Sequence, residues 1–579
     1  MKKSGKLIIG LTCLAAANAI YYGFFGLERQ RMETLYNDYT WYFIAVALFL
    51  WVQQLIRQLP ALEEFKEGFR RHAFPLLAAL GITLAGLFAA PPDFRILADE
   101  TNLLGMSMAM YDEHACYNPT QAVSYYHGMN RVISKVTDMR PGFFPFAVSA
   151  LHSATGYRSA NAFAVNAMAG FACLFLLYYL VQMPFGRFWG VVAMLLMAAF
   201  PLFLLYMTSA GFEVFNLAWA LVFLLLLERF IRRPVAENAE LMLLLLPLLA
   251  QTRYESALAV FCAVPVVFWR LAGPEYDRFS MRLVVWPLLF VPVAWLRVIT
   301  FSQQAFQVSN IEQAFGFDLF IKNIGQALPF FTGSKAAFGM VPLVAFSAIA
   351  GFATLLFDWQ DRQRHVPAET QSLRVFYEDR AILLAVALFF ALHAGARFAY
   401  FWGDMTLQYT SRLGIIFLPV LAFLAVYMLR RLTSLLGTGR SWAAIGAVLL
   451  LLHGWPVAGQ NLAVRDIIFY REFKTVREFL QREFPYKKDY IVVSEQSNAL
   501  VPLRYNSFTV AHLNANLDSV RRDLQNRTWR FLLIVQKIET DSGQAVENSA
   551  VSTDLHLETL YESQLSVNRI LRISRHKPE

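Results

Sequence analysis

Asp99 and Glu100 stand side by side a few residues after the apolar run AFPLLAALGITLAGLFAA, which is long enough to cross a bilayer. A carboxylate held in place can take a proton from a reacting group. The same pair also reads as solvated loop charge beside a span. Adjacent residues on a helix point about 100° apart, so the two need not share one task. The loop runs on through Met106, Met108, Met110 and Tyr111 at helix-like spacing, then supplies Asp112, Glu113 and His114. A third carboxylate, Glu213 in TSAGFEVFNLAWA, sits at the end of another apolar run among apolar neighbours. At that depth a carboxylate is costly unless it has a role or a partner. Glu near a helix start is also favoured by the helix dipole, and both readings stand.

The elements that must carry these residues are membrane spans. The 579-residue chain is 57% hydrophobic and only 16% charged, outside the range of soluble globular chains. Apolar runs fall at roughly 7–26, 41–59, 74–90, 158–181, 188–208, 212–231, 239–252, 255–271, 283–300, 338–357, 381–396, 413–431 and 442–460. The runs at 239–271 are short and joined by QTRYES, so the expected count is about 11–13 transmembrane helices. The net charge of +9 does not point to nucleic acid, because Lys and Arg gather in alternate short loops such as Arg229, Arg232, Arg233 and Arg430, Arg431, Arg440. The positive-inside rule puts those loops in the cytoplasm. It places about 91–157, 301–337, 397–412 and everything after 460 outside. The chain is expected in the cytoplasmic (inner) membrane, multi-pass, with membrane lipids around it. MKKSGKLIIGLTCLAAANA reads as a signal anchor or a cleavable signal peptide, and the topology is the same either way.

After residue 460 the pattern changes. FYREFKTVREFLQREF has the apolar spacing of an amphipathic helix, and SVRRDLQNR reads as a second helix. YIVVS, WRFLLIVQKI and NRILRIS read as strands. These predict a small extracytoplasmic C-terminal α/β domain over 461–579. It has no Gly-rich phosphate loop. Of Cys13, Cys116, Cys173 and Cys262, only Cys116 falls in an outer loop, which argues against a disulfide framework.

DETNLLGMSMAMYDE, RPGFFPFAVSAL, GYRSANAFAVNAMAGFACLFLLYYL and MPFGRFWGVVAMLLMAAFPLFLLYMTSAGFEVFNLAWAL follow one another in order. This order resembles the amino-terminal half of GT-C superfamily glycosyltransferases, nearest the family 39-like group of protein O-mannosyltransferases and lipid A aminoarabinose transferases. The resemblance covers about 74–270. Beyond that it rests on architecture and on YTSRLGIIFLP. The lead-in is Arg140-Pro141-Gly142-Phe143 rather than Lys/His-Pro-Pro-Leu, and Met139 stands where some relatives carry a metal-associated Glu. No cofactor is required by the resemblance, and a divalent metal is left open.

The resemblance implies transfer of a sugar from a polyprenyl-phosphate donor to an acceptor hydroxyl, with inversion, on the outer face of the membrane. The acceptor is a lipid, a protein or a polysaccharide. Asp99 then matches the general base, Glu100 orients it or the acceptor, and Glu213 matches the second acid. Arg412, followed by Arg158, Arg253 and Arg397, are the candidates for holding the donor phosphate. For each, the plain alternative is snorkelling to the interface. Arg140, His114, Tyr125, Tyr126 and His127 are candidates to line the site, with loop packing as the plainer reading. The expected division is an extra transmembrane hairpin over 1–73, a GT-C-like membrane domain over 74–460 with its loop 91–157, and the α/β domain over 461–579. The competing readings are a flippase or transporter of a lipid-linked saccharide and a non-catalytic scaffold of envelope glycan assembly.

Overall fold

The apolar runs fold as long helices in the computed structural model, which describes residues 4–60, 62–124, 130–271, 275, 278–302, 314–333, 339–364, 370–437, 439–461, 468–552 and 554–576. The chain divides into two compact units. One comprises Met1–Asp93, Met139–Phe144 and Phe163–Leu462, and the other Phe94–Asp138, Pro145–Ala162 and Ala463–Glu579.

The first unit is helical. Among the described residues, ten helices are long and apolar enough to cross a membrane. They include α1 (Ser4–Phe24), α2 (Arg29–Arg57), α3 (Leu62–Ala89), α6 (Ala160–Phe185) and α9 (Glu213–Arg232). Between α6 and α9 lie α7 (Arg187–Ala198) and α8 (Pro201–Met207), bent 77° apart, and together they make an eleventh span if counted as one. Pro201 is the cause: it opens α8 at the position where a missing N–H costs nothing, and it cannot continue α7.

The count reaches only the low end of the expected range because of the run around QTRYES. It folds as α10 (Ala236–Ala250) and α11 (Val260–Arg270), split by a 3-10 turn at Tyr254–Ala259. Fifteen residues span about 22 Å, short of the roughly 30 Å hydrocarbon core. Most of α9 is buried, whereas little of α1 is, so α9 runs through the protein interior and α1 faces outward. The N-terminal hairpin is bound to the rest of this unit by polar contacts. Gln54 and Gln58 donate to the Glu237 carbonyl, Arg282 donates to Gln54 Oε1 at 2.8 Å, and Trp295 donates to the Tyr22 carbonyl.

The other spans lie further along the chain. The helices there that matter for positioning are α12 (Val291–Ser302), α14 (Pro342–Arg364), α15 (Thr370–Phe398), α16 (Leu418–Leu435) and α17 (Ser441–Asn461), together with α13 (Phe317–Phe331), which is short, amphipathic and not among the candidate spans. Helices α14 and α16 touch at Gly351, where an added Cβ would lie 2.0 Å from the Leu424 carbonyl oxygen. Small residues at such crossings let helix backbones approach closely.

The second unit is a seven-stranded mixed sheet with helices. It contains α4 (Leu97–Glu113), β1 (Asn118–Ser124), β2 (Asn130–Val136), most of α5 (Phe143–Thr155), α18 (Ile468–Glu483), β3 (Tyr490–Val493), β4 (Ser507–Phe508), α19 (Leu517–Gln525), β5 (Phe531–Glu539), β6 (Leu557–Ser566) and β7 (Arg569–His576). The strand order is β2-β1-β4-β3-β5-β7-β6, with β4, β3 and β5 parallel and the remaining pairs antiparallel. The expected helices and strands after 460 are present as α18, β3, α19, β5 and β7. Strands β1, β2, β4 and β6 add to them, and the first two come from the loop that follows α3. The sheet's core includes Ile491, Val493, Phe508, Leu532 and Ile534, all 2% exposed or less. A parallel centre buried on both faces explains why β3 and β5 read as unbroken apolar runs.

Candidate functional site

Glu213 opens α9 at 3% exposure, and its carboxylate is the hub of a buried ionic cluster in the helical unit. Arg412 Nη1 lies 2.9 Å from Glu213 Oε1, and Arg253 Nη1 reaches the same oxygen at 3.4 Å. Arg253 Nε also pairs with Glu255 at 2.6 Å, and its guanidinium covers the Phe212 ring at 4.7 Å. Arg397, at the end of α15, lies within electrostatic range of Arg253, Glu255 and Arg412. Arg253, Arg397 and Arg412 are each 9% exposed or less. Among the described residues, three guanidinium groups thus gather about two carboxylates. A charge is costly to bury unless it is paired.

Several polar atoms of the cluster are buried with no hydrogen-bond partner among the described residues. They are Arg397 Nε and Nη2, Glu213 Oε2, Glu255 Oε2 and His393 Nε2. The His393 ring bonds through Nδ1 to the Phe389 carbonyl one turn back, which makes Nδ1 the protonated nitrogen and Nε2 an acceptor. An unsatisfied buried group costs about 1–3 kcal/mol, and more when charged. The cluster therefore presents both donors and acceptors to something it does not itself supply.

The surrounding chain fixes these side chains from several directions. Asn166 on α6 donates through Nδ2 to the carbonyls of Tyr206, Ser209 and Gly211 (3.2, 2.9 and 2.6 Å), which holds the turn before α9. At Gly211 an added Cβ would crowd Glu213 Oε2, so a side chain there would displace that carboxylate. Asn216, one turn into α9, accepts from Thr252 at 2.6 Å and Ser256 at 2.7 Å, tying α9 to the turn that carries Arg253. Gln251 in that turn also receives the N–H groups of Gly142 and Phe143. Asn323 of α13 donates to the Phe398 and Tyr400 carbonyls and so fixes the end of α15 beside Arg397. The Asp404 carboxylate accepts from the N–H and hydroxyl of Thr406, and its carbonyl accepts from Thr410, which shapes the turn before Arg412.

The acidic pair belongs to the sheet unit. Glu100 is fully buried, and its Oε1 accepts from the backbone N–H groups of Arg95 and Ile96, both at 3.0 Å. It thereby satisfies two donors at the start of α4, which is a helix-terminus role. Asp99 lies one residue earlier in the first turn of α4 and is half-exposed.

Of the residues singled out from sequence, Glu213, Arg253, Arg397 and Arg412 come together. Arg140 is half-buried in the same unit, in the segment before α5. Arg158 and His114 are exposed in the sheet unit, His114 as the left-handed residue that ends α4. Tyr125, Tyr126 and His127 lie outside the described residues. Glu255 and His393 join the cluster unannounced. Glu255 sits in the flagged QTRYES break, two residues after Arg253, and was open to notice. His393 lies deep in an apolar run with no local signal. No group of three or more His, Cys, Asp or Glu side chains is gathered for a metal among the described residues.

Neither a protein-family model nor a curated protein matches the chain. Solved structures do. ArnT from Cupriavidus metallidurans in the apo state aligns with a TM-score of 0.50 at 13% identity, over 88% of this chain and 98% of that one. The same protein bound to undecaprenyl phosphate aligns at 0.48, 13%, 87% and 98%. The archaeal oligosaccharyltransferase AglB from Archaeoglobus fulgidus, in complex with an inhibitory peptide and a dolichol-phosphate, aligns at 0.42 and 12%, over 87% of this chain and 76% of that one. With its candidate membrane helices and its mixed sheet, the chain has a GT-C-like fold, similar to that of ArnT.

Proposed function

We propose that this chain is a glycosyltransferase that moves a sugar from a polyprenyl-phosphate donor to an acceptor hydroxyl, with inversion, on the outer face of the cytoplasmic membrane. The observation that carries the reading is the buried arginine cluster in which Arg397 Nε and Nη2 have no hydrogen-bond partner among the described residues. A phosphate supplies the oxygens that Arg397 lacks. The sugar attached to it supplies hydroxyl donors for Glu213 Oε2 and Glu255 Oε2. A ligand presenting only one of these groups would leave the other half of the cluster unmet.

In this reading the acceptor oxygen attacks the anomeric carbon as its proton passes to the Asp99 carboxylate. The bond from that carbon to the phosphate oxygen breaks, and the electron pair stays on the phosphate. Negative charge grows there, and fixed cations that need no reorganisation stabilise it. Arg397 takes first place among the phosphate ligands, ahead of Arg412, whose guanidinium faces Glu213. The loop charges support an outer position for the sheet unit, and a reporter active only outside the cytoplasm, fused after the final residue, tests that orientation.

Native mass spectrometry of the purified chain with undecaprenyl phosphate and with undecaprenol tests the phosphate requirement. Selective retention of the phosphate, lost in Arg397→Gln, supports the reading. Equal retention of the two lipids, or unchanged selectivity in Arg397→Gln, rejects it.

A further inference from the structure

The sheet unit holds a half-open cavity of about 280 Å³ that the transfer chemistry does not use. It lies among the end of α4, the strands β1 and β2, and the segment around residues 501–506. Its floor includes Met108 and Val501, which pack in one apolar cluster. Asp112, Glu113, Tyr117 and Arg504 bring polar groups to the same lining.

These polar groups are held in place. Arg504 grips both oxygens of Asp112 at 2.7 Å each. The Arg504 guanidinium also lies over the Tyr157 ring at 4.2 Å. Its backbone has a φ of +63°, a left-handed conformation that costs a non-glycine residue energy and that surrounding contacts must impose. Tyr117 donates to Glu113 Oε2 at 2.6 Å, and Lys135 sits 4.6 Å over the Tyr117 ring.

The chemistry of the lining selects a ligand class. Each carboxylate oxygen has more than one acceptor site, and only part of that capacity is taken by Arg504 and Tyr117. Asp112 and Glu113 are offset in charge by Arg504 and Lys135, so neither a strong anion nor a strong cation is favoured. What remains is a set of fixed acceptors beside an apolar floor, suited to a ring with hydroxyl donors on its edge and C–H groups on its face. The volume lies at the low end for ligand sites, about 300–1,000 Å³, which limits the occupant to about one ring.

We propose that this cavity binds one neutral sugar residue through hydroxyl donation to Asp112 and Glu113, as a glycan subsite apart from the buried arginine cluster. The choice of a sugar over another neutral polyol rests on the transferase reading. On that reading the class of substrate held there is an acceptor glycan, since the cavity has no phosphate-binding excess of cations among the described residues of its lining.

The test is saturation-transfer NMR on the full chain in detergent micelles. The probes are the methyl glycosides of glucose, mannose, galactose and N-acetylglucosamine. At least one should bind with a Kd on the order of 1 mM, the range for about a dozen heavy atoms in a shallow site. Glu113→Gln, at an exposed position, and Tyr117→Phe, a one-atom change, should each weaken it at least about fivefold. Arg397→Gln should leave it unchanged. No signal from any glycoside at about 20 mM overturns the proposal. So does a signal that survives both cavity variants, or one that disappears in Arg397→Gln. A chain that binds undecaprenyl phosphate selectively but no glycoside fails the cavity alone. Glycoside binding that meets these criteria, without selective lipid-phosphate binding, supports the cavity and fails the transferase reading.

Discussion

Replacing Glu213 by Gln keeps the shape of the side chain and removes the charge that two arginines share. At an effective dielectric constant of about 20, the contacts at 2.9 and 3.4 Å are worth roughly 5–6 kcal/mol each in Coulomb energy. Desolvation of the three groups offsets much of that in the native protein. It is not recovered when one partner is removed, because Arg253 and Arg412 stay buried. The cluster loses one of its two carboxylate charges among the described residues. Breaking a buried pair in this way typically costs about 3–5 kcal/mol, and that is the expected loss of stability for Glu213→Gln. Arg412→Gln alone leaves Glu213 with Arg253 at the longer distance and should cost somewhat less. The double variant should cost less than the sum, with a coupling of about 1–3 kcal/mol. Reversible unfolding by SDS from mixed micelles measures all four corners of the cycle. A coupling below about 0.5 kcal/mol would show that Glu213 and Arg412 do not form the pair described.

Arg397→Gln should behave in the opposite sense. Removing a buried cation whose Nε and Nη2 have no hydrogen-bond partner among the described residues leaves stability unchanged or raises it, while transfer falls about 10²–10³-fold through loss of charge stabilisation. A destabilised Arg397→Gln protein would make Arg397 a structural residue. Gly351→Ala should lower the thermal midpoint, at a cost of about 1–3 kcal/mol, because the new Cβ meets the backbone carbonyl of Leu424 rather than a movable side chain. In the sheet unit, burial pushes the His152 imidazole down to about 4, assisted by Arg504 and opposed by Asp112. Its Nδ1 accepts from Asn161 at 2.8 Å, a bond that protonation removes. The unfolded chain therefore binds more protons between about pH 6.5 and 4. Stability from this group is present above that window and lost as pH falls through it, by about 1–3 kcal/mol after allowance for partial solvent screening. Melting curves from pH 7.5 to 4 should show this decline in the wild type and a flatter profile in His152→Gln.

Membrane architecture was legible because a bilayer requires long apolar runs, and α1, α2, α3, α6 and α9 all announce themselves that way. Strands β3 and β5 were legible for a related reason, since burial on both faces removes polar interruptions. Strands β1 and β2 were not. NPTQAVS and NRVISKV carry no strong alternation, and β1 finds its partner β4 nearly 400 residues away. Two-residue β4 is too short to leave any pattern. Tertiary pairing decides such segments, not intrinsic propensity. In the buried cluster, Glu213 stood out because a carboxylate at that depth needs a reason. Its pairing with Arg412, about 200 residues on, is a matter of helix packing that spacing alone cannot reveal. Glu100 shows the limit from the other side. The resemblance gave Glu100 the part of orienting the base or the acceptor; helix geometry turns it inward to the start of its own helix and leaves Asp99 half-exposed.

The most direct test of the transferase account is sugar transfer by the purified chain from a panel of radiolabelled polyprenyl-phosphate sugars, comparing wild type with Asp99→Asn at matched membrane insertion. Asn nearly keeps the shape of Asp but cannot take a proton at neutral pH. The account predicts transfer by the wild type and a rate about 10²–10⁴-fold lower in a folded, inserted Asp99→Asn protein. Wild-type turnover in Asp99→Asn would remove Asp99 as the base, and no transfer by the wild type from any donor in the panel would contradict the function itself.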